Sequence, residues 1–242
     1  MNIRPATSAD VPAVARLVLA ALADEAPWNS FCPSKALTGG SGCIEFAEAM
    51  LRSHLDSQRH RVMVLELSAP KSGTRSGPPI VVSVAVWDTD ACRSATERDG
   101  PAGRLHENGS HSVFAKMQDK LAALGRACCA GKQTSFAGRG PFLHLDILAT
   151  RPDYQRHGYA KALVSWGTDY ARKTQRPLCV QAASRAYILF SGLEFVDLGP
   201  VPLPSDQQNE AAVLKAMMFE PGKCRRRDLM VSVFSRSSPR RV

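Results

Sequence analysis

The segment from Leu145 to Ala160, LDILATRPDYQRHGYA, constrains the fold of this chain more than any other. Phe142 to Thr150 has a strand pattern, and Arg151-Pro152-Asp153-Tyr154 ends it. A helix is expected from about Gly158 to Lys173, with Ala162, Leu163, Trp166 and Tyr170 on one stripe. A strand that runs within a few residues into an amphipathic helix belongs to a sheet with helices packed on it.

The turn itself has chemical consequences. The first N–H groups of a helix lack internal acceptors and carry the positive end of the helix dipole. They form an anion site suited to a pyrophosphate. Gly158, lacking a Cβ, lets the backbone approach phosphate oxygens, and Ala160 is nearly as small. Arg156 and His157 add positive charge beside it. The plain alternative is an ordinary strand-to-helix turn that needed one glycine, since neither a G-x-G-x-x-G nor a P-loop is present.

The rest of the chain supplies the elements around this turn. Residues 2–6 read as a short strand, and Thr7 stands three before Asp10 in a capping pattern. Val11, Val14, Leu17, Val18, Ala21 and Leu22 follow at helical spacing. A second helix is expected over Cys43–Leu55, and strands over 61–67 and 80–87, joined by a Ser/Pro/Gly-rich hairpin loop. Residues 88–140 read as an insertion with a helical middle, Val113 to Ala130. Further expectations are a strand at 177–182, a helix at 185–193, and strands at 195–198 and 228–235. The order implies one domain over 1–242 of class α/β (α+β), a sheet with helices on both faces, ending in a basic tail at 236–242.

Composition excludes several classes. No CxxC pair exists among the seven cysteines, so no structural metal site is expected, and a reduced, cytoplasmic compartment fits best, with the nucleus left open. No apolar run reaches 18 residues, and the N-terminus lacks the apolar region of a signal peptide. The net charge of +9 suits an anionic ligand, but aromatics at 7% and scattered arginines disfavour nucleic acid as the partner.

Gln155-Arg156-His157-Gly158-Tyr159-Ala160 fits [Q/R]-x-x-G-x-[G/A], and here the chain resembles the GNAT family of N-acetyltransferases. Ala183-Ser184, Leu189-Phe190 and Glu194-Phe195 are similar to the family's A-S, L-Y and G-F positions, and Ala162-Leu163 with Trp166-Gly167 is similar to fungal members. The resemblance is strong over 142–198 and weaker over 1–90. It implies a mixed, mostly antiparallel sheet of the acyl-CoA N-acyltransferase type, with acetyl-CoA as co-substrate. Backbone of Gln155, Arg156, His157, Gly158, Tyr159 and Ala160 would hold the pyrophosphate. Leu148, Ala149 and Thr150 would face the pantetheine arm where strands 142–150 and 177–182 part, with Ser184 just beyond. Two residues depart from the pattern: Phe190 stands where the family often has a proton-donating Tyr, and Glu194 where it has Gly.

The reaction so implied is transfer of an acetyl group to a small-molecule or peptide amine, which needs a base. His144 and Asp146 are two apart in a strand and share one face, so Asp146, directly or through water, is the candidate, with His144 as alternate. Both could instead be solvated or structurally paired. Trp28 and Phe31 lie in a loop that borders the acceptor pocket in the family, though an aromatic there also serves as packing. Cys179, between Leu178 and Val180 with no paired histidine, does not suggest a covalent intermediate. A non-catalytic acyl-CoA-binding module stays open as the alternative function, and both monomer and homodimer stay open.

Overall fold

The computed structural model describes residues 1–23, 25, 28, 41–68, 71–72, 75–76, 78–91, 113–203 and 213–222. Seven strands form one sheet: β1 (Asn2–Pro5), β2 (His60–Leu67), β3 (Ile80–Asp88), β4 (Leu143–Thr150), β5 (Leu178–Ala182), β6 (Val196–Pro202) and β7 (Val213–Phe219). Their order is β1-β2-β3-β4-β5-β7-β6. Every neighbouring pair is antiparallel except β4 and β5, which are parallel. A separate two-strand ribbon pairs 71–72 with 75–76 inside the expected hairpin loop.

Among the described residues five α-helices cover the sheet: α1 (Val11–Leu22), α2 (Ser41–Asp56), α3 (Val113–Phe136), α4 (Tyr159–Thr174) and α5 (Ser184–Ser191). The expected stripe of α1 is its buried face, with Val11, Val14, Leu17 and Val18 at most 3% exposed. At its start the Thr7 N–H donates to Asp10 at 2.7 Å, and Arg4 pairs with Asp10 at 2.8 Å.

The helices divide between the two faces. On one, α4 and α5 place Leu163, Val164, Ala171 and Phe190 against Leu65, Ala85, Trp87 and Leu145. Gly167 of α4 lies so close to the Trp87 indole that a Cβ there would overlap it. On the other face the cover is split. Helices α1 and α2 pack on Val62, Val64, Val84 and Val86 of β2 and β3. Helix α3 packs through Leu124 and Phe136 on Cys179, Leu214, Ala216 and Met218 of β5 and β7. A seam between these two apolar clusters therefore runs down the sheet beside β4.

The sheet departs from expectation at its far side. Val213–Phe219 is a mostly buried strand between β5 and β6, where the sequence reading placed a loop over 199–227. Leu214, Lys215, Ala216, Met217 and Met218 favour helices in isolation, and pairing on both edges overrides that preference. The strand expected at 228–235 and the basic tail lie outside the described residues. Helix α3 runs to Phe136, six residues beyond the expected Ala130.

Candidate active site

β4 and β5 pair only through Leu143–Leu178, His144–Cys179 and Leu145–Val180. Beyond that point β4 stays with β3 through Ile147–Val86, Leu148–Ala85, Ala149–Val84 and Thr150–Ser83. β5 stays with β7 through Gln181–Ala216 and Ala182–Lys215. The two parallel strands thus part after Leu145 and Val180, leaving a wedge edged by Leu148, Ala149 and Thr150. The register of β4 against β3 also slips here: Trp87 opposes Leu145 and Val86 opposes Ile147, so Asp146 is the extra, bulged residue. Bulges re-aim side chains: Asp146 keeps the side it shares with His144, and Ile147 after it packs with the α1–α2 cluster on that same side.

The Gln155–Ala160 turn closes the wide end of the wedge. The Arg151 N–H donates to Val82 O at 2.9 Å and a 3-10 turn follows at Pro152–Tyr154. Arg156 and Gly158 both adopt left-handed backbone, with φ of 65° and 84°. The first bond of α4 runs from the Ala162 N–H to Gly158 O, so the N–H groups of Tyr159, Ala160 and Lys161 precede any intrahelical acceptor. No side chain caps them. A Cβ built on Gly158 would meet nothing within 4 Å, so the space before these donors is open. The His157 Nδ1–H donates to Gln155 O at 2.7 Å, and its ring stacks on Tyr159 at 5.7 Å. Ser184 begins α5 one residue past Ala183 and is exposed.

At the narrow end, Asp146 is the hub of a buried polar cluster in the seam. Its Oδ1 accepts from Lys132 Nζ of α3 at 2.7 Å and from His144 Nδ1 at 2.9 Å. Its Oδ2 lies 3.6 Å from His60 Nε2, whose Nδ1 meets Ser57 Oγ at 3.0 Å. Burial raises the Asp146 pKa, but Lys132, His144 and His60 outweigh it and hold the carboxyl well below its usual range. Because that oxygen can only accept, the Nδ1 of His144 carries the proton. Burial and then Lys132 pull His144 below the usual imidazole value. Its Nε2 is buried without a hydrogen-bond partner among the described residues, and Phe136 lies edge-on 6.0 Å away.

The sequence reading set Asp146 and His144 together but missed Lys132, His60, Arg59 and His54. No local pattern marks them; strand register brings His60 opposite Asp88, and Asp88 opposite His144. Asp88, 1% exposed, takes both oxygens to the Arg59 guanidinium. His60, Asp88 and Asp146 offer ligand atoms within 4.8 Å of one another. A divalent ion would have to displace Arg59 from Asp88 and Lys132 from Asp146. The donors are therefore already satisfied by internal cations, and the set fits an ion-pair network better than a metal centre.

Burial also places His54, 4.4 Å ring to ring from His60, with a pKa pulled down to about 4 from 6.5. Like His144, it is neutral in the fold and binds a proton more readily in the unfolded chain. Such a depressed imidazole contributes stability that is complete above about 6.5 and is lost as pH falls towards about 4. The unfolding free energy from urea titration is accordingly expected to drop between pH 7 and pH 5, by on the order of 2 kcal/mol for such an imidazole. His54→Gln should flatten part of that drop; an unchanged free energy in the wild type would mean that neither ring is held neutral.

The two departures from the family pattern have distinct outcomes. Phe190 is 1% exposed and packs edge-on against Phe195 at 5.0 Å, with no proton to give. Tyr187 makes a hydrogen bond to Asp197. Glu194 keeps the turn that a glycine would make, with φ of 69°, and Leu193 and Phe195 both donate to Phe190 O. A left-handed non-glycine residue costs about 1–2 kcal/mol. Glu194→Gly is expected to raise stability by about 1 kcal/mol, read as a melting temperature about 2–4 °C higher. A lower one would show that Glu194 makes an offsetting contact.

Of the other residues considered, Trp28 packs against the α3 cluster, and Phe31 lies outside the described residues. Cys179 is fully buried, which pushes its thiol up to about 12 and away from nucleophilic use. Among the described residues no helix is long and apolar enough to cross a membrane.

Comparison with known proteins agrees with this geometry. Residues 82–188 match the model of the acetyltransferase (GNAT) family. No curated protein matches the chain. Among solved structures, the chain is similar to a histone acetyltransferase HPA2 and related acetyltransferase from Corynebacterium glutamicum. There the TM-score is 0.52 at 20% identity, over 93% of this chain and 98% of that one. It is also similar to a spermidine N-acetyltransferase SpeG mutant from Vibrio cholerae, with TM-score 0.50 and 11% identity, over 91% of this chain and 95% of that one. The chain thus has the fold of the acetyltransferase (GNAT) family and matches that family's model over the strands, turn and helix that frame the wedge.

Proposed function

We propose that the chain is an acyl-CoA-dependent N-acyltransferase that moves an acetyl group from acetyl-CoA to a primary amine by direct attack. One observation carries the reading: an uncapped helix N-terminus behind left-handed Gly158 stands at the wide end of two parting parallel strands. The N–H groups from Gln155 to Ala160 hold the pyrophosphate, with the dipole of α4 behind them. Leu148, Ala149 and Thr150 offer strand-edge groups to the pantetheine arm, and Ser184 borders it. The thioester then lies near Asp146, at the narrow end, where a strand N–H stabilises the oxyanion.

The roles at Asp146 follow from its partners. A carboxylate held so low is a weak proton acceptor, so Asp146 orients and His144, neutral, or a water chain takes the proton of the attacking amine. The thiolate leaves without a tyrosine acid, which slows turnover without stopping it. The likeness of Ala162-Leu163 and Trp166-Gly167 to fungal members accompanies this reading. The solved relatives named for histone and spermidine acetylation make peptide and small amines the first acceptors to try. The +9 charge weakly disfavours polycations among them.

A panel of small and peptide amines, incubated with acetyl-CoA and scored by free thiol, tests the proposal. Turnover with any one amine supports it. Cofactor binding without turnover across the panel would favour a second reading, a non-catalytic acyl-CoA-binding module, which Phe190 already motivates.

A further inference from the structure

Helix α3 lies across the point where β4 and β5 part, and three contacts fix it there. Lys132 Nζ donates to Asp146 Oδ1 at 2.7 Å. Gln181 Nε2 donates to the Cys128 carbonyl at 3.0 Å. Gly131 approaches Val201 and Gln181 so closely that a Cβ would overlap both. The last parallel pair is Leu145–Val180, so Asp146 and Gln181 are the first residue of each departing strand. The helix therefore ties the narrow end of the wedge shut and delivers a primary amine to its floor. The Lys132 side chain is 17% exposed, so its amine is committed to this spot rather than to solvent.

We propose that Lys132 is itself an acyl acceptor, taking the acyl group from acyl-CoA bound to the same chain. The inference rests on the proposed function, which puts the thioester beside Asp146. The step balances: the Lys132 ammonium gives up a proton, and its Nζ lone pair attacks the thioester carbonyl carbon. The carbon–sulfur bond breaks, and the thiolate takes a proton to leave as free coenzyme A. Acetyl-CoA and the ammonium thus become Nε-acetyl-lysine, coenzyme A and one released proton. Acylation removes the ammonium that Asp146 holds directly, so the modified and unmodified chains differ in charge at the proposed catalytic centre.

The proton is the slow part. Around Lys132 lie Asp146 and His144 of β4, Asp88 of β3, His60 of β2, and Cys128 and Cys129 of its own helix. Burial lowers its pKa, but Asp146 outweighs this and keeps the ammonium above its usual value. The neutral fraction, and with it the rate, is expected to grow about tenfold per pH unit from about pH 7 to about pH 9.

The test is to incubate the full chain with acetyl-CoA and follow intact mass, with peptide mapping, beside Lys132→Arg and Gly158→Trp. The expected result is a single acetyl group mapped to Lys132. Its appearance should be first-order with a rate independent of protein concentration, and absent in both variants. Lys132→Arg keeps the charge, and wild-type mapping locates the site even if that variant folds poorly. Wild type that binds acetyl-CoA but leaves Lys132 unmodified, or is acetylated equally on exposed lysines, overturns the inference and leaves the proposed function standing. Wild type that binds no acetyl-CoA removes both.

Discussion

Asp146→Ala is expected to lower the unfolding free energy by about 3–5 kcal/mol, the usual cost of stranding one partner of a buried ion pair. Lys132 and Asp146 are 17% and 19% exposed, so solvent only partly replaces the carboxylate once it is gone. His144 and His60 lose the same partner. For a domain of this size each kcal/mol shifts the melting temperature by about 2–4 °C, so a fall of about 6 °C or more is predicted. Lys132→Met strands the carboxylate instead and should cost a similar amount. Combining it with Asp146→Ala removes both charges at once and should cost clearly less than the two single changes added. Strict additivity in thermal melts would show that the pair is not coupled and that the seam is more hydrated than its burial indicates.

Gly158→Trp is expected to weaken acetyl-CoA binding at least about 100-fold, or about 2.7 kcal/mol, while leaving the fold largely intact. The two effects separate because of where Gly158 sits. A Cβ there meets nothing within 4 Å, so the new side chain leaves the backbone into open space. The fold loses only the left-handed strain, about 1–2 kcal/mol. The same open space is the approach to the N–H groups of Tyr159, Ala160 and Lys161, which an indole would fill. Normal binding by a folded Gly158→Trp protein would put the cofactor elsewhere.

What the sequence made legible was local. Strand, turn and helix over Phe142–Lys173 could be read because period, proline and glycine fall within one stretch, and the helix starts at Tyr159 as expected from Gly158. The stripes of α1 and α2 were equally open to view. β7 was not, because Leu214 to Met218 carries no β-branched residue and owes its conformation to neighbours on both sides. The polar cluster was half legible. His144 and Asp146 announce themselves by alternation, but the bulge at Asp146 depends on register against Val86 and Trp87. Lys132 comes from the middle of what reads as an insertion, and His60 from the start of a strand more than 80 residues before Asp146. Only tertiary packing brings these together. Glu194 shows the opposite case: the residue argues against the turn, and the chain makes the turn regardless.

Calorimetric titration of acetyl-CoA into the full wild-type chain decides whether the chain binds the cofactor at all. Saturable, one-to-one binding in the micromolar range is expected. A well-folded wild-type chain that binds no acetyl-CoA would contradict the proposed function.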